Sequence, residues 1–142
     1  MVSTTPTPFD AATFCFCLAA SKAARALARR YDEAFRPIGL TNGQFSILVG
    51  VALELPVGLG ELADALGMDR TTLTAALKPL DRQGLVSITP DPKDARLRRL
   101  RLTERGKDVV AAALPIWAEV QAEVRARSDG IDVLGTLNRV SV

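Results

Sequence analysis

Six basic side chains lie within the stretch Asp91 to Gly106: Lys93, Arg96, Arg98, Arg99, Arg101 and Arg105. The whole chain of 142 residues carries a formal net charge of only +2. Between residues 68 and 105 there are nine basic and five acidic side chains, the largest local excess in the chain. Such an excess favours binding to a polyanion, because each neutralised phosphate releases counterions. From charge alone, a solvated charged surface is an equally good interpretation.

The sequence contains no histidine, which removes the commonest metal ligand and the usual general base near neutral pH. We therefore expect neither an enzyme nor a metal site nor a cofactor. The two cysteines do not make a disulfide framework, which is typical of a reducing compartment. No stretch reaches the roughly 20 apolar residues that cross a bilayer, so the sequence predicts a cytoplasmic protein without a membrane partner.

The N-terminal part of the chain is dominated by helical periodicity. Residues 1–10 are rich in Pro and Thr and are predicted to be a disordered tail. Apolar residues then recur at helical spacing from Ala11 to about Arg36, which predicts one long helix. A capping box at Thr41 and Gln44 predicts a second helix that ends near Leu53.

A short helix, a tight turn, a second helix and a hairpin follow in that order. Leu59 to Leu66 presents one apolar face, and Asp69 is a good N-cap for a helix from Arg70 to Gln83. The alternating segments Leu85 to Thr89 and Leu97 to Leu102 predict two strands. This order is that of a winged helix-turn-helix.

Two more helices complete the predicted fold. Thr103 caps a long one, and a short last helix spans Ile131 to Asn138. The fold class is therefore mainly α with a small β-hairpin wing (α+β). A single domain covers residues 11–142, with the winged helix-turn-helix over about 41–103 and flanking helices over about 11–37 and 103–142.

The second helix of the predicted helix-turn-helix has an outer face that is small near its N-terminus and basic further along. This suits the major groove, where threonine hydroxyls bond base edges and methyl groups touch thymine. The candidate DNA-binding residues of this helix are Arg70, Thr71, Thr72, Thr74, Ala75, Lys78 and Arg82. Arg70 could pair with guanine, whereas Lys78 and Arg82 better suit phosphates. The alternative is an exposed helix surface without a partner.

Pro79 lies inside this helix and removes the hydrogen bond to the Ala75 carbonyl, so a bend is expected. We interpret the bend as directing the N-terminal half of the helix toward the groove. The competing interpretation is that the helix is lost beyond Pro79.

Three segments together resemble the MarR family of winged-helix transcription regulators. They are LTNGQFSIL (Leu40 to Leu48), LGELADALGMDRTTLTAALKPLDRQGLV (Leu59 to Val86) and the wing signature D-x-R-x-x-x-L-x-L-T-x-x-G, which begins at Asp94. The resemblance covers nearly the whole chain, and it implies that Arg96 enters the minor groove while Asp94 orients its guanidinium. A narrow groove, with its concentrated negative potential, also favours arginine on physical grounds.

The resemblance further implies that Arg98, Arg99 and Arg101 contact flanking phosphates. For one or two of them a solvated strand face remains the alternative. Lys93, Asp94, Arg96, Arg98 and Arg99 complete the candidate DNA-binding residues.

The first helix and the helix from Thr103 carry more apolar surface than a DNA-binding unit of about 60 residues covers. The resemblance implies a homodimer formed by the terminal helices through Ala20, Ala24, Leu27, Tyr31, Leu114, Trp117, Leu134 and Leu137. A two-fold dimer places two half-sites about 34 Å apart, so a double-stranded, pseudo-palindromic DNA operator is expected. A monomer that buries these faces internally is the alternative.

Cys15 and Cys17 are candidate redox thiols. Two residues apart on one helix, their side chains diverge, so neither a shared metal site nor a mutual disulfide is expected. Burial as small hydrophobic residues is favoured over redox sensing. If either thiol senses oxidation, an intersubunit disulfide is the expected route.

The resemblance also implies a small aromatic effector bound between the dimerisation helices and the winged helix. Candidate residues for its pocket are Phe14, Phe16, Phe45 and Trp117, although core packing is the favoured alternative for most of them.

The sequence thus predicts a sequence-specific DNA-binding transcriptional regulator, a dimeric repressor whose DNA binding is relieved by a small-molecule effector or by oxidation. The alternative is a winged-helix protein-interaction module without specific DNA binding. A thiol-dependent enzyme using Cys15 or Cys17 is a third hypothesis, weakened because no histidine is available as a partner.

Overall fold

The computed structural model describes residues 5–53 and 58–141. Seven α-helices and two strands are found in these residues: α1 (Pro8–Phe14), α2 (Phe16–Phe35), α3 (Asn42–Ala52), α4 (Leu59–Leu66), α5 (Arg70–Arg82), β1 (Val86–Pro90), β2 (Arg98–Leu102), α6 (Glu104–Ala126) and α7 (Val133–Val140). The mainly helical fold class with one hairpin is therefore confirmed. The helix predicted to end near Leu53 ends at Ala52, and residues 54–57 lie outside the described residues.

The N-terminal helix differs from the prediction in its start and in its continuity. It begins at Pro8, because Thr7 and Asp10 form a capping box in which each side chain accepts the other's backbone N–H. Residues 8–10, predicted to belong to a disordered tail, are therefore helical, and residues 1–4 of that tail lie outside the described part of the chain.

The single long helix predicted from residue 11 is interrupted at Cys15. Cys15 has an extended backbone (φ −74°, ψ 113°), and its Sγ accepts the backbone N–H of Leu18 at 3.4 Å. The helical segments before and after the break are bent by 46°. Periodicity alone did not reveal this interruption, because the spacing of apolar residues is continuous across it.

The segment between α2 and α3 is fixed by local hydrogen bonds. A 3-10 turn at Arg36–Ile38 is followed by Gly39 in the left-handed region, with φ 68°. Thr41 and Gln44 then form the predicted capping box of α3. The carboxylate of Asp32 on α2 accepts the N–H of Asn42 at 2.6 Å, which ties the start of α3 to the preceding helix.

The hydrophobic core forms around α3. Its buried side chains Phe45, Ile47, Leu48 and Val51 pack with residues from the surrounding elements. Phe35 at the end of α2 lies against Phe45, with ring centroids 4.8 Å apart. The other buried members are Leu40, Leu62, Ala63, Leu73, Leu77, Leu80, Leu85, Val86, Leu100, Val110 and Ala113. Burying one such leucine contributes about 1.5–3 kcal/mol, so this core is what holds the helix-turn-helix in place.

The hairpin of β1 and β2 is joined to the core through one face. The strands are antiparallel, with Val86 opposite Leu102 and Ile88 opposite Leu100. The Thr103 hydroxyl donates to the carbonyl oxygen of Gly84 at 2.5 Å and accepts the N–H of Gly106, which anchors the start of α6 beneath the hairpin.

The C-terminal helices leave much apolar surface exposed in the chain. α6 is continuous through Pro115 and buries Val110, Ala113 and Val120. On α6 and α7, the exposed large hydrophobic residues include Leu114, Trp117, Val133, Leu134, Leu137 and Val140. Of the described helices, none is by itself long and apolar enough to span a membrane, whereas the bent pair α1 and α2 passes that test on length and composition only.

Candidate nucleic-acid interface

The turn between α4 and α5 is built by one glycine and one aspartate. Gly67 ends α4 in the left-handed conformation, with φ 64°. Two residues later Asp69 caps α5, because its carboxylate accepts the N–H of Thr72 at 2.8 Å. The Thr72 hydroxyl and this backbone hydrogen bond hold the pKa of the Asp69 carboxyl below its usual range, so it is ionised at neutral pH.

The exposed face of α5 is the one that the sequence predicted. Leu73, Leu77 and Leu80 are buried, which fixes the rotation of the helix about its axis. The seven candidate DNA-binding residues of α5 are all exposed: Arg70, Thr71, Thr72, Thr74, Ala75, Lys78 and Arg82. The helix continues through Pro79 to Arg82, so the interpretation that it ends at the proline is wrong.

The three threonines of this face differ in what their hydroxyl groups already bind. The Thr72 hydroxyl donates to the Asp69 carboxylate at 2.6 Å, and the Thr74 hydroxyl donates to the Arg70 carbonyl at 2.7 Å. Within the described residues the Thr71 hydroxyl makes no hydrogen bond. Thr71 is therefore the threonine whose donor is available to a base edge, whereas Thr72 serves the helix cap.

The wing consists of β1, β2 and the turn of residues 91–97 between them, and this turn presents Arg96 to solvent. The Asp94 carboxylate accepts two hydrogen bonds from the Arg96 guanidinium, at 3.0 and 3.1 Å, and a third from the Arg96 N–H at 3.1 Å. The Arg96 side chain is nevertheless 90% exposed. The guanidinium also holds the pKa of Asp94 below its usual range. The ion pair thus orients Arg96 without covering it.

Arg99, predicted to contact phosphate, has a partner inside the wing. Its Nε donates to the Asp91 carboxylate at 2.7 Å. Asp91 was not among the candidate residues, although an Asp-Pro step at the start of a hairpin turn is a recognisable signal. Lys93 and Arg98 are exposed, and Arg98 lies on the strand face that also carries Leu100.

Cys15 and Cys17 are both free cysteines and are exposed in the chain. The predicted divergence of their side chains assumed one uninterrupted helix, and that assumption is wrong because Cys15 lies at the break between α1 and α2. The favoured burial of these residues as small hydrophobic side chains is not found within the single chain.

The four candidate effector residues do not meet in one place. Phe45 is in the core against Phe35, whereas Phe14 and Phe16 are exposed near the N-terminal break. Trp117 lines an open, mostly apolar cavity of about 690 Å³. The other lining residues are Ala118, Gln121, Ala122, Arg125, Ala126 and Gly130. Across residues 5–53 and 58–141, no group of three or more His, Cys, Asp or Glu is arranged to hold a metal ion.

Comparison with known proteins agrees with this architecture. The MarR family model matches residues 38–97, which span the helix-turn-helix and most of the wing. The transcriptional regulator MosR of M. tuberculosis, solved in complex with DNA, is 41% identical with a TM-score of 0.76, over 88% of this chain and 89% of MosR. A mutant of E. coli MarR in complex with operator DNA shares the fold at 20% identity, with a TM-score of 0.81 over 96% of this chain and 99% of that one.

A curated relative is the HTH-type regulator YybA of Bacillus subtilis, 35% identical over 86 residues. That match covers 61% of this chain and 57% of YybA, so the chain spans little more than half the length of this relative. A helix-turn-helix followed by a two-stranded wing defines a winged-helix protein. The chain belongs to the MarR family of transcriptional regulators. The expectation that it is not an enzyme is confirmed by that membership.

Proposed function

We propose that this chain is a sequence-specific DNA-binding transcriptional regulator that works in the cytoplasm as a homodimeric repressor. The observation that carries the proposal is the solvent-exposed Arg96 guanidinium, held by Asp94 at the tip of the hairpin that follows α5. Arginine in this setting suits a narrow minor groove, while the exposed face of α5 suits the adjacent major groove. MosR and E. coli MarR, the similar proteins, were both solved with DNA.

The contacts divide by chemistry into those that read bases and those that hold phosphates. Arg70, Thr71 and Ala75 lie in the first half of α5, where the groove is approached most closely. Lys78, Arg82, Lys93 and Arg98 are exposed cations further out and serve the phosphates.

The homodimer is proposed from the apolar surface at the two ends of the chain. Phe9, Phe14, Phe16 and Leu18 are exposed at the N-terminal end. Leu114, Trp117 and the apolar residues of α7 are exposed at the other. Exposed apolar side chains concentrated on the terminal helices in this way are typical of an interaction site. A two-fold dimer then requires a pseudo-palindromic operator.

Release from DNA is proposed to follow either from a small aromatic effector or from oxidation of Cys15 or Cys17. The Trp117 cavity offers an apolar wall and one guanidinium, from Arg125, which suits an aromatic acid. CouR of Rhodococcus jostii RHA1, one of the similar structures, was solved with p-coumaroyl-CoA. Either signal would act by favouring a dimer whose α5 helices are misplaced on DNA.

The test is a gel shift on the DNA upstream of the chain's own gene, against an unrelated fragment, at two salt concentrations. The unaltered protein should prefer the upstream DNA, and Arg96→Ala should lose roughly tenfold in affinity for it. Arg25→Ala on α2 removes the same charge from an exposed position and serves as the control. Equal affinity for both fragments, or an Arg96→Ala variant that binds normally, would favour the protein-interaction module instead.

A further inference from the structure

The wing is organised by a carboxylate that the proposed contacts do not use, that of Asp91. We propose that Asp91 is a positioning residue that presents Arg96 to DNA, and that Arg99 holds Asp91 in place instead of contacting phosphate. This inference rests on the proposed function, because it assigns roles within the same DNA-binding surface.

Asp91 is bonded on both of its carboxylate oxygens. Oδ1 accepts the backbone N–H groups of Lys93 at 2.7 Å and Asp94 at 3.2 Å, and Oδ2 accepts the Arg99 Nε–H at 2.7 Å. Its side chain is only 17% exposed. The Asp91 N–H donates to the Leu97 carbonyl at 2.9 Å, which closes the wing turn behind it. Arg99 and these backbone amides also hold the pKa of Asp91 below its usual range, so the carboxylate stays ionised at neutral pH.

The bonds of Asp91 lead to Arg96 in two steps. Asp91 fixes the backbone of Asp94, and the Asp94 carboxylate in turn holds both the backbone N–H and the guanidinium of Arg96. Each step is a local turn in which an aspartate accepts an N–H two or three residues further on. Two such turns in series set the direction in which Arg96 leaves the wing.

Arg99 is unsuited to a phosphate role while it makes this pair. Its charge faces the Asp91 carboxylate, and its side chain is 42% exposed, against 90% for Arg96. A phosphate contact by Arg99 would leave the carboxylate of Asp91 without its partner, close to the negative backbone of DNA. The neighbouring Arg98 is exposed and supplies a matched arginine for comparison.

The first part of the test needs no DNA. Hydrogen exchange of the Lys93 and Asp94 amides is followed in the full chain and in the variants Asp91→Asn, Arg99→Ala and Arg98→Ala. Asparagine at position 91 has one acceptor oxygen to share between these amides and Arg99, and Arg99→Ala removes the group that holds the carboxylate in place. Exchange at the two amides should therefore speed up about fivefold in both variants and stay unchanged in Arg98→Ala. If Asp91→Asn does not fold, Arg99→Ala carries this comparison. Unchanged exchange in both variants overturns the proposal.

The second part measures affinity for the DNA upstream of the chain's own gene. Removing a negative charge beside DNA strengthens binding on electrostatic grounds alone, and Asp81→Asn on α5 serves as the control for that effect. If Asp91 positions Arg96, Asp91→Asn should instead weaken DNA binding, with an affinity about fivefold lower. The double variant Asp91→Asn with Arg96→Ala should bind no more weakly than Arg96→Ala, since Asp91 acts through Arg96.

The outcomes separate the two proposals. If the unaltered protein shows no preference for the upstream DNA, the proposed function fails, and the exchange rates alone decide the role of Asp91. If the preference is present but Asp91→Asn binds more tightly, or its effect adds to that of Arg96→Ala, the positioning role is overturned and the regulator is not.

Discussion

The guanidinium of Arg30 on α2 and the carboxylate of Glu123 on α6 are joined by two hydrogen bonds, of 2.6 and 3.0 Å. The two residues are 93 positions apart in sequence, so this pair connects the first long helix to the last long one. The guanidinium holds the pKa of Glu123 below its usual range. Both side chains are more than a third exposed, at 37% and 43%, and water therefore screens much of their attraction.

Replacing Arg30 by alanine should therefore lower the free energy of unfolding by less than about 1 kcal/mol. Urea titrations measure the free energy of unfolding of Arg30→Ala. Arg29→Ala, which changes an exposed neighbour on α2, is the control. The difference between them should shrink further in about 1 M salt, where the Debye length is roughly 3 Å. A salt-independent loss of several kcal/mol would contradict this interpretation.

The close packing of Gly106 under the hairpin predicts a much larger effect. A Cβ at this position would overlap the carbonyl oxygen of Leu85, which also accepts the Thr103 N–H at 3.1 Å. Backbone cannot move aside as a side chain can, so Gly106→Ala should cost about 3 kcal/mol or more. The control is Gly43→Ala on α3, where a Cβ meets nothing within 4 Å. Thermal unfolding should show Gly106→Ala melting far below Gly43→Ala, and equal melting temperatures would count against the packing described.

The helix-turn-helix and the wing were predictable from sequence because each depends on local signals. The Asp69 cap, the Gly67 stop and the alternation around Leu100 lie within a few residues of the structure they determine. Gly106 belongs to the same predicted wing signature, and its contact with Leu85 gives a physical reason for a glycine there.

The features that sequence did not reveal depend on partners separated along the chain or on exceptions to periodicity. The Asp91–Arg99 pair forms across the wing turn. Strand alternation places Arg99 on the face opposite Leu100, but it does not show that Asp91 lies beside it. Phe45 carries the same aromatic signal as Phe14, yet only packing around α3 shows that it belongs to the core.

Thr71 and Thr72 should respond differently to replacement by valine, which keeps the shape and removes the hydroxyl. In Thr72→Val the bond to Asp69 is lost, so the free energy of unfolding should fall by about 1 kcal/mol while the preferred DNA sequence is retained. In Thr71→Val stability should change by less than about 0.5 kcal/mol, because the exposed hydroxyl has no bond to lose. The Thr71→Val variant should also accept a wider range of bases at the contacted position. Selection of bound duplexes from a random pool measures this preference. Selection of the same sequence as the unaltered protein would remove Thr71 from the proposed base contacts.

The free energy of unfolding should fall in acid and change very little near neutral pH. The carboxyls of Asp69, Asp91 and Asp94 have pKa values lowered by hydrogen bonds from their usual 3.8. A lowered pKa in the folded state means that the stabilisation is complete above the unfolded value and is lost as pH falls through the folded one. No histidine titrates between pH 5 and 8. Urea midpoints should thus be nearly constant from pH 6 to 8 and fall below about pH 4. A marked change between pH 6 and 7 would contradict this assignment.

The proposed homodimer predicts that a charge on α7 separates the subunits. Leu134 and Leu137 are 59% and 41% exposed in the single chain, and a glutamate at either position would have to be desolvated in an interface. Leu134→Glu should sediment as a single chain of 15.2 kDa at concentrations where the unaltered protein sediments at twice that mass.

The control is Leu97→Glu, which changes an exposed leucine of the wing. This variant should remain dimeric and lose DNA affinity through charge repulsion alone. Because Leu134 is exposed, its replacement leaves the core of the monomer intact, so loss of DNA preference in Leu134→Glu would follow from loss of the second half-site contact. A Leu134→Glu variant that is still dimeric would move the interface away from α7 and leave the exposed apolar residues of α6 and of the N-terminal break as its remaining locations.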